Sequence, residues 1–190
     1  MEIRIKQLES GIQMCNKCPI SNDIVNIYCK ETGCGKLPIK IGKNGCLIVG
    51  INPSIKRFTD TIEKGAFYGR TTGDILTICL NEAGFDKEDF SITNLVKCST
   101  PDNRSLSKEE IYDCTPFLFE EIEIIRPKVI LTLGVEPMNF FDGNFFRVRN
   151  WHHKDVKYMI FCLPHPGYLK YRPDLKKEFI DQLKKMKDLL

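Results

Sequence analysis

Four short runs of apolar residues constrain the fold of this chain more than any other feature of its sequence. Each has the length of a β-strand and is rich in residues that favour strands; they are residues 46–51, 90–95, 128–133 and 158–163. Helical patterns lie between and after them, and strands that are apolar throughout are typical of a parallel sheet covered on both faces. The pattern therefore predicts a three-layer α/β/α sandwich around a central four-stranded parallel sheet.

Four helices are predicted around this sheet. An amphipathic segment at 3–14 opens the chain, a second apolar stripe spans 72–83, and a Lys-rich amphipathic helix at 173–190 closes it. The helix predicted at 107–125 begins with Ser-Lys-Glu-Glu, which is a capping-box pattern. The stretch 20–44 is irregular, and we expect it to wrap the surface.

The composition fits one globular domain, residues 1–190. Of the 190 residues, 42% are hydrophobic and 28% are charged, which allows one sizeable core without disulfides. The net charge of +3 permits nucleic-acid binding without demanding it. The N-terminus lacks the apolar segment of a secretion signal, and no apolar run approaches the roughly eighteen residues of a membrane span. We expect a cytoplasmic protein that acts as a monomer and does not bind membranes.

Nine cysteines in such a chain need an explanation. In a reducing compartment, clustered cysteines are metal ligands or small buried apolar residues. Cys46, Cys79 and Cys162 lie in apolar runs or stripes, so they are predicted to be core residues. Cys15 and Cys18 form a C-x-x-C motif in a polar loop, where a core position is unfavourable. Two further cysteines in a loop with Gly and Lys are ambiguous: Cys29 and Cys34.

Polar side chains follow three of the four predicted strands. Asn52 comes after the first, Asn94 ends the second, and His165 follows the fourth between two prolines. In open α/β sheets, ligands bind beyond the carboxyl ends of the strands. We therefore expect these side chains, which can hydrogen-bond a heterocycle or position water, on one rim. His152 and His153 lie in a predicted loop without a motif and are assigned structural roles.

Six motifs, in one order along the chain, resemble the iron-sulfur uracil-DNA glycosylases of family 4. They are CNKC at 15–18, LIVGINPS at 47–54, GAFYGRTTGDIL at 65–76, ITNLVKCSTPDNRSLSKEEIYDC at 92–114, PKVILTLG at 127–134 and LPHPGYLKYRPDLKKEF at 163–179. The most specific part is the cysteine frame, C-x2-C at 15–18 and C-x15-C from Cys98 to Cys114, which is the spacing that this family uses for a [4Fe-4S] cluster. Such a cluster requires four thiolates. The resemblance implies such a cluster on Cys15, Cys18, Cys98 and Cys114. Zinc is the alternative, although structural zinc sites usually have two short cysteine spacings.

The resemblance also implies an activity and a set of base-binding residues. A monofunctional DNA glycosylase of this kind hydrolyses the N-glycosylic bond of a flipped deaminated base, most often uracil, in base excision repair. Asn94 would read the base edge by accepting from N3–H and donating to O4. His165 would donate to O2 as negative charge develops on the departing base. Phe67 would stack on the base, and Ile51 and Asn52 would contact it from the first motif.

The first motif departs from the family. Family 4 enzymes typically carry G-E-[AG]-P-G, whereas residues 50–54 read G-I-N-P-S. Asn52 is similar to the Asn of the mismatch-specific and single-strand-selective uracil glycosylases, where that residue positions the attacking water. A neutral amide accepts a proton poorly, so most of the catalysis is expected from His165 and from backbone amides of this motif. Asp60 and Glu63 are the alternative sources of a carboxylate.

Contacts with the DNA itself are implied by residues around these motifs. Arg172 occupies the place of an arginine that lies near the DNA in the family, and Arg104 is expected near a phosphate. The side chain that enters the helix is one of three in the segment after His165: Tyr168, Leu169 or Tyr171.

Other substrates and other classes of protein are alternatives to this hypothesis. Because the first motif is mixed, hypoxanthine, xanthine or mismatch-restricted uracil are further candidate substrates. A non-catalytic iron-sulfur nucleic-acid-binding protein would keep the cysteines and lose Asn94 or His165, and both residues are present. A cytosolic iron-sulfur electron carrier would need no rim that reads a base.

Overall fold

Five strands form the central sheet in the computed structural model, which describes residues 2–23, 39–53, 67 and 71–190. They are β1 (Cys46–Gly50), β2 (Ser91–Asn94), β3 (Val129–Leu133), β4 (Val148–His153) and β5 (Val156–Leu163). Their order is β2-β1-β3-β5-β4, in which only the β4–β5 pair is antiparallel. The four predicted runs are the four parallel strands. The prediction of a four-stranded sheet is nevertheless wrong, because β4 adds an antiparallel edge.

The edge strand β4 escaped prediction because its residues alternate between exposed and half-buried positions along Val-Arg-Asn-Trp-His-His. A strand with one face in solvent has a polar sequence, and a search for apolar runs misses it. The placement of His152 and His153 in a loop is therefore wrong. Both residues lie in β4, where His153 pairs with Val156 across the hairpin to β5.

The described residues form five α-helices, which are α1 (Glu2–Met14), α2 (Thr71–Glu82), α3 (Lys108–Ile125), α4 (Val135–Phe140) and α5 (Lys176–Lys187). The Ser107 side chain accepts a hydrogen bond from Glu110 N, and the Glu110 carboxylate accepts one from Ser107 N, which confirms the capping box of α3. The closing helix is shorter than predicted because Pro173–Leu175 forms a separate 3₁₀ turn. None of these helices has the length and apolar character needed to span a membrane.

Each face of the sheet packs against its own apolar cluster, which confirms the three layers. Helices α2 and α5 cover one face, and α1 and α3 cover the other. Because side chains alternate along a strand, the neighbours Leu47 and Ile48 enter opposite clusters. Cys46 and Cys79 are buried in the first cluster and Cys162 in the second, so their prediction as core residues is confirmed.

The irregular stretch at 20–44 is described only at its two ends. Pro19–Asn22 forms a 3₁₀ helix, and Lys40 makes an isolated antiparallel bridge with Ile92 on the outer edge of β2. The prediction that this stretch wraps the surface falls largely on residues 24–38, which lie outside the described residues.

Candidate active site and cysteine site

Polar side chains lie at the carboxyl-end rim of the parallel sheet. Strand β1 ends at Gly50, two residues before Asn52, and β2 ends at Asn94. Strand β5 ends at Leu163, two residues before His165. Gly50 pairs directly with Asn94 in the register of β1 and β2. Because these three strands run in the same direction, the residues that follow them share one rim.

The side-chain amide of Asn94 is buried at this rim. The residue is 5% exposed, and its amide makes no hydrogen bond to any residue that the structure describes. Buried polar groups are normally hydrogen-bonded. A buried amide without a partner among the described residues is therefore a candidate for ligand recognition.

Gly50 lies close to both this amide and the ring of Phe67. The Phe67 ring lies 5.8 Å from the imidazole of His165, centroid to centroid, with the planes tilted by 41°. A Cβ atom added to Gly50 would lie 2.5 Å from Asn94 Oδ1 and 2.7 Å from Phe67 Cε2. The fold thus brings Asn94, Phe67 and His165 together around the bare backbone of Gly50.

The main chain of Phe67 is held in a conformation that most residues avoid. Its φ of 60° lies in the left-handed region, which is unfavourable for an aromatic residue. The buried ammonium group of Lys87 donates a hydrogen bond to the Phe67 carbonyl oxygen. This contact fixes the wall of the pocket. Sequence reasoning missed Lys87 because lysine is seldom buried.

His165 is oriented by the turn that follows it. It caps the 3₁₀ helix Pro166–Lys170, and its Nδ1 accepts a hydrogen bond from Gly167 N at 3.3 Å. A ring nitrogen that accepts from an N–H group carries a lone pair, so this bond assigns the proton of the neutral ring to Nε2. In this tautomer the N–H of the ring is at Nε2.

A cavity adjoins His165 on the side of the turn between β3 and α4. It contains about 880 Å³ of empty space, part of it open to solvent, and its lining includes Ile51, Glu136, Phe145, Phe146 and Tyr168. Sequence reasoning missed Glu136 and both phenylalanines, because they come from elements without a recognisable motif.

Asn52, where the chain leaves the family pattern, directs its amide nitrogen towards a neighbouring loop. Its Nδ2 donates to Cys98 O and to Thr100 Oγ1, both at 3.4 Å. Its Oδ1 makes no hydrogen bond to the described part of the chain. The alternative carboxylates, Asp60 and Glu63, lie outside the described residues.

Four cysteines line one small cavity between the start of the chain and the segment after β2. The cavity has about 280 Å³ of empty space, part of it open to solvent, and its cysteines are Cys15, Cys18, Cys98 and Cys114. Three of them are less than 10% exposed, and burial raises the pKa of the Cys114 thiol. In the described ranges no three His, Cys, Asp or Glu side chains converge closely enough to hold a single metal ion. Two other cysteines lie outside those ranges, namely Cys29 and Cys34.

Both arginines predicted at the DNA are paired with carboxylates. Arg104 makes two hydrogen bonds to Glu110, at 3.0 and 2.5 Å, and Arg172 makes two to Asp174, at 2.9 and 2.6 Å. About half of each arginine side chain stays exposed, so each can also face a phosphate. Sequence reasoning missed both carboxylate partners.

Only two of the three candidates for the side chain that enters the DNA helix are accessible. Leu169 is 6% exposed and belongs to the core, so it is excluded from this role. Tyr168 is 46% exposed and also lines the cavity beside His165, whereas Tyr171 is 79% exposed.

Known proteins of one family match this chain over most of its length. A family model described as the uracil DNA glycosylase superfamily matches residues 41–186. The type-4 uracil-DNA glycosylase of Archaeoglobus fulgidus is 32% identical over 94% of this chain and 89% of that protein. That of Thermotoga maritima is 30% identical over 94% and 91%. That of Saccharolobus solfataricus is 36% identical, over 69% of this chain and 66% of its own length. The chain therefore belongs to the uracil DNA glycosylase superfamily, and within it is similar to the type-4 enzymes.

Proposed function

We propose that this protein is a monofunctional DNA glycosylase that removes uracil from DNA in base excision repair. The observation that carries the proposal is the buried amide of Asn94, which has no partner among the described residues and lies with Phe67 and His165 around Gly50. Such a cleft accepts a planar heterocycle only if the nucleotide is flipped out of the duplex. Membership of the superfamily supports the same reaction.

Base selection is proposed for Asn94. Its carbonyl oxygen accepts from N3–H of uracil while its NH₂ group donates to O4. Cytosine presents an acceptor at N3 and a donor at the 4-position, so the same amide would face two mismatched contacts. A buried polar group left without a partner is costly, and this gives the site its means of rejecting cytosine.

Leaving-group stabilisation is proposed for His165. As the glycosylic bond breaks, negative charge develops on the base and reaches O2, to which Nε2–H donates a hydrogen bond. Because this charge exists mainly in the transition state, the hydrogen bond accelerates bond breaking more than it strengthens ground-state binding. Phe67 stacks on the base, and backbone amides of Ile51 and Asn52 add donors at the same place.

Water positioning is proposed for Asn52. Its Nδ2 is occupied by Cys98 O and Thr100 Oγ1, which leaves Oδ1 to accept a hydrogen from the attacking water. An amide oxygen orients water but removes its proton poorly. The rate is therefore expected to depend mainly on breaking the glycosylic bond and less on activation of the water.

A [4Fe-4S] cluster is proposed for the cavity lined by the four cysteines. Two observations support the fit: all four thiols line one cavity, and their number equals the thiolate ligands such a cluster requires. The ligands would be Cys15, Cys18, Cys98 and Cys114. When bound, the cluster would supply a cross-link between the start of the chain and the 98–114 segment, and no chemical step is assigned to it.

DNA contact is proposed for Arg104, Arg172 and one of the exposed tyrosines. An arginine held by a carboxylate keeps its orientation, and its remaining N–H groups can contact phosphate. Tyr168 and Tyr171 offer aromatic surface for the gap left by the flipped nucleotide. The monomeric state, the cytoplasmic location and the single domain at 1–190 stay predictions.

The proposal is tested with oligonucleotides that carry one uracil, hypoxanthine or xanthine, as single strands and as duplexes, followed by alkaline cleavage of abasic sites. We expect cleavage at uracil and far slower cleavage at cytosine or thymine in matched oligonucleotides. Cleavage at hypoxanthine or xanthine without uracil would move the substrate to another deaminated base. A failure to cleave any of them with iron-loaded protein would overturn the glycosylase assignment and favour a non-catalytic binding protein.

A further inference from the structure

Lys97 lies between the two halves of the site, and neither half accounts for its burial. Its side chain is 2% exposed, although lysine is almost never buried without a specific partner. The ammonium group donates three hydrogen bonds, to Thr93 Oγ1 at 2.9 Å, to Asn94 O at 2.6 Å and to Glu121 Oε2 at 2.7 Å. Every donor of the group is thus used inside the protein.

The first connection leads from Lys97 to the end of strand β2. The Thr93 hydroxyl, which accepts from Lys97, itself donates to Glu121 Oε2 at 2.8 Å. On the other side, Leu95 N donates to Gly50 O at 2.8 Å. The peptide group between Asn94 and Leu95 is therefore held at both ends. Its carbonyl oxygen accepts from the Lys97 ammonium group, and its N–H donates to strand β1.

The second connection leads from Lys97 to the cysteine site. Its backbone N–H donates to Cys114 Sγ at 3.3 Å, and the next residue along the chain is Cys98. Hydrogen bonds to ligand sulfurs are among the features that set the properties of iron-sulfur clusters. One residue thus contacts both the peptide of Asn94 and a proposed cluster ligand.

The pair formed by Lys97 and Glu121 is not explained by stability alone. Glu121 is fully buried, and its Oε1 has no hydrogen-bond partner among the described residues. A buried ion pair with an incomplete set of partners is commonly no more stable than a well-packed apolar pair. The position of the pair gives it a second role, because an apolar pair would leave the Asn94 carbonyl oxygen without the hydrogen bond from Lys97.

We propose that Lys97 is a positioning residue, which sets the Asn94 amide for base reading and ties that setting to the cysteine site through Cys114. This inference rests on the proposed function. It adds that selectivity for uracil over cytosine depends on a lysine that never touches the base.

The test replaces the ion pair by apolar residues. This separates its effect on the stability of the fold from its effect on the position of Asn94. Lys97→Met removes the ammonium group and leaves Glu121 buried alone; the double variant Lys97→Met with Glu121→Leu removes both charges. Lys177→Met, an exposed residue on α5, is the control. Each protein is purified with its cluster, checked for iron and thermal melting, and assayed for KM and kcat on uracil and for the uracil-to-cytosine ratio.

The expected result is that the double variant melts close to the wild type and keeps its iron, while its uracil-to-cytosine ratio falls about 10- to 100-fold, as for other small misplacements. Full recovery of the ratio in the double variant would show that the pair is only structural and would overturn the proposal. A wild-type protein without iron or glycosylase activity would instead contradict the proposed function, which separates the two failures.

The midpoint potential of the cluster provides a readout that does not depend on activity. Removal of the lysine charge makes electron uptake less favourable, so Lys97→Met is expected to lower the potential, and Glu121→Leu is expected to raise it. The double variant should lie between them, and Lys177→Met should not move the potential. Unchanged potentials in both single variants would show that the network does not reach the cluster, and would overturn the proposed link to the cysteine site.

Discussion

The side-chain nitrogen of Asn52 donates to the carbonyl oxygen of Cys98 at 3.4 Å, so the residue that departs from the family motif is attached to the loop of a proposed cluster ligand. Its second acceptor, the Thr100 hydroxyl, already gives its hydrogen to Arg104 O at 2.8 Å. Both oxygens near Asn52 Nδ2 thus present lone pairs. Only a hydrogen-bond donor is therefore favourable at the position of Asn52 Nδ2.

Asn52→Asp is therefore expected to lower activity, although it introduces the carboxylate that family 4 motifs carry nearby. A carboxylate cannot donate to Cys98 O or Thr100 Oγ1, and repulsion should rotate it out of place. We expect kcat for uracil to fall about 10- to 100-fold in single-turnover assays, with iron content unchanged. A rate equal to or above that of the wild type would show that the site lacks only a general base, a group that takes the proton of the attacking water.

Gly50→Ala is expected to close the base pocket. The new methyl group would lie 2.5 Å from Asn94 Oδ1 and within 3 Å of two atoms of the Phe67 ring, so one wall must move. We expect at least about a 100-fold loss of uracil excision with little change in iron content. Gly11→Ala in α1 is the control, because the nearest atom to its added methyl group is 3.9 Å away and alanine favours helices. Equal activity in the two variants would contradict the proposal that the base binds beside Gly50.

His165→Ala is expected to reduce kcat for uracil about 100- to 1000-fold, since it removes the donor to the departing base. The loss should be smaller for 5-fluorouracil, whose anion needs less stabilisation, and single-turnover rates on both bases measure the difference. An equal loss on both bases would indicate that His165 acts in binding or folding and not on the leaving group.

Cys114→Ala is expected to abolish iron binding and the visible absorbance of the protein prepared without oxygen. Cys79→Ala removes a buried thiol from the opposite apolar cluster and should keep the iron. Iron and sulfide analysis of both proteins checks the assignment, and zinc analysis distinguishes the alternative metal. Iron retained by Cys114→Ala would remove this residue from the ligand set.

Glu110→Gln is expected to destabilise the protein in a pH-dependent way. The Arg104 guanidinium holds the pKa of Glu110 below its usual value, helped by the Ser107 N–H. A lowered pKa means stability that is complete above the unfolded pKa of about 4.3 and is lost as pH falls through the folded value. The wild type should exceed the variant by about 1 kcal/mol near pH 7, and by less below about pH 4.

Chemical denaturation across this range measures the difference. Glu178→Gln, an exposed residue on α5, is the control and should show no such convergence with the wild type. A difference between Glu110→Gln and the wild type that stays constant down to about pH 3.5 would mean that the ion pair does not contribute.

The sequence predicts the parallel core well because each buried strand needs a continuous apolar run. The run at 128–133 is the clearest example. It predicts the rim for the same reason, since polar residues that follow parallel strands must share an edge. The start of α3 was also predictable, because the hydrogen bonds of Ser107 and Glu110 are local. The edge strand β4 was missed because one of its faces is in solvent.

The supports of the site could not be predicted in this way. Lys87 and Lys97 are charged residues whose usual place is the surface, and their partners Phe67 and Glu121 are 20 and 24 residues away. Nothing local in the sequence marks such a contact. The pairing of Arg104 with Glu110 is closer in sequence, but its geometry depends on how residues 101–107 turn before α3.

The pairing of Gly50 with Asn94 has a consequence for how errors in base choice arise. Side chains alternate along a strand, so a shift of one residue between β1 and β2 would turn the amide to the opposite face of the sheet. The register of a hydrogen-bonded ladder changes only in steps of whole residues. A slip of the strands is therefore expected to inactivate a molecule and not to lower its selectivity: under partial urea denaturation the number of active molecules should decline, while each remaining one keeps its preference for uracil.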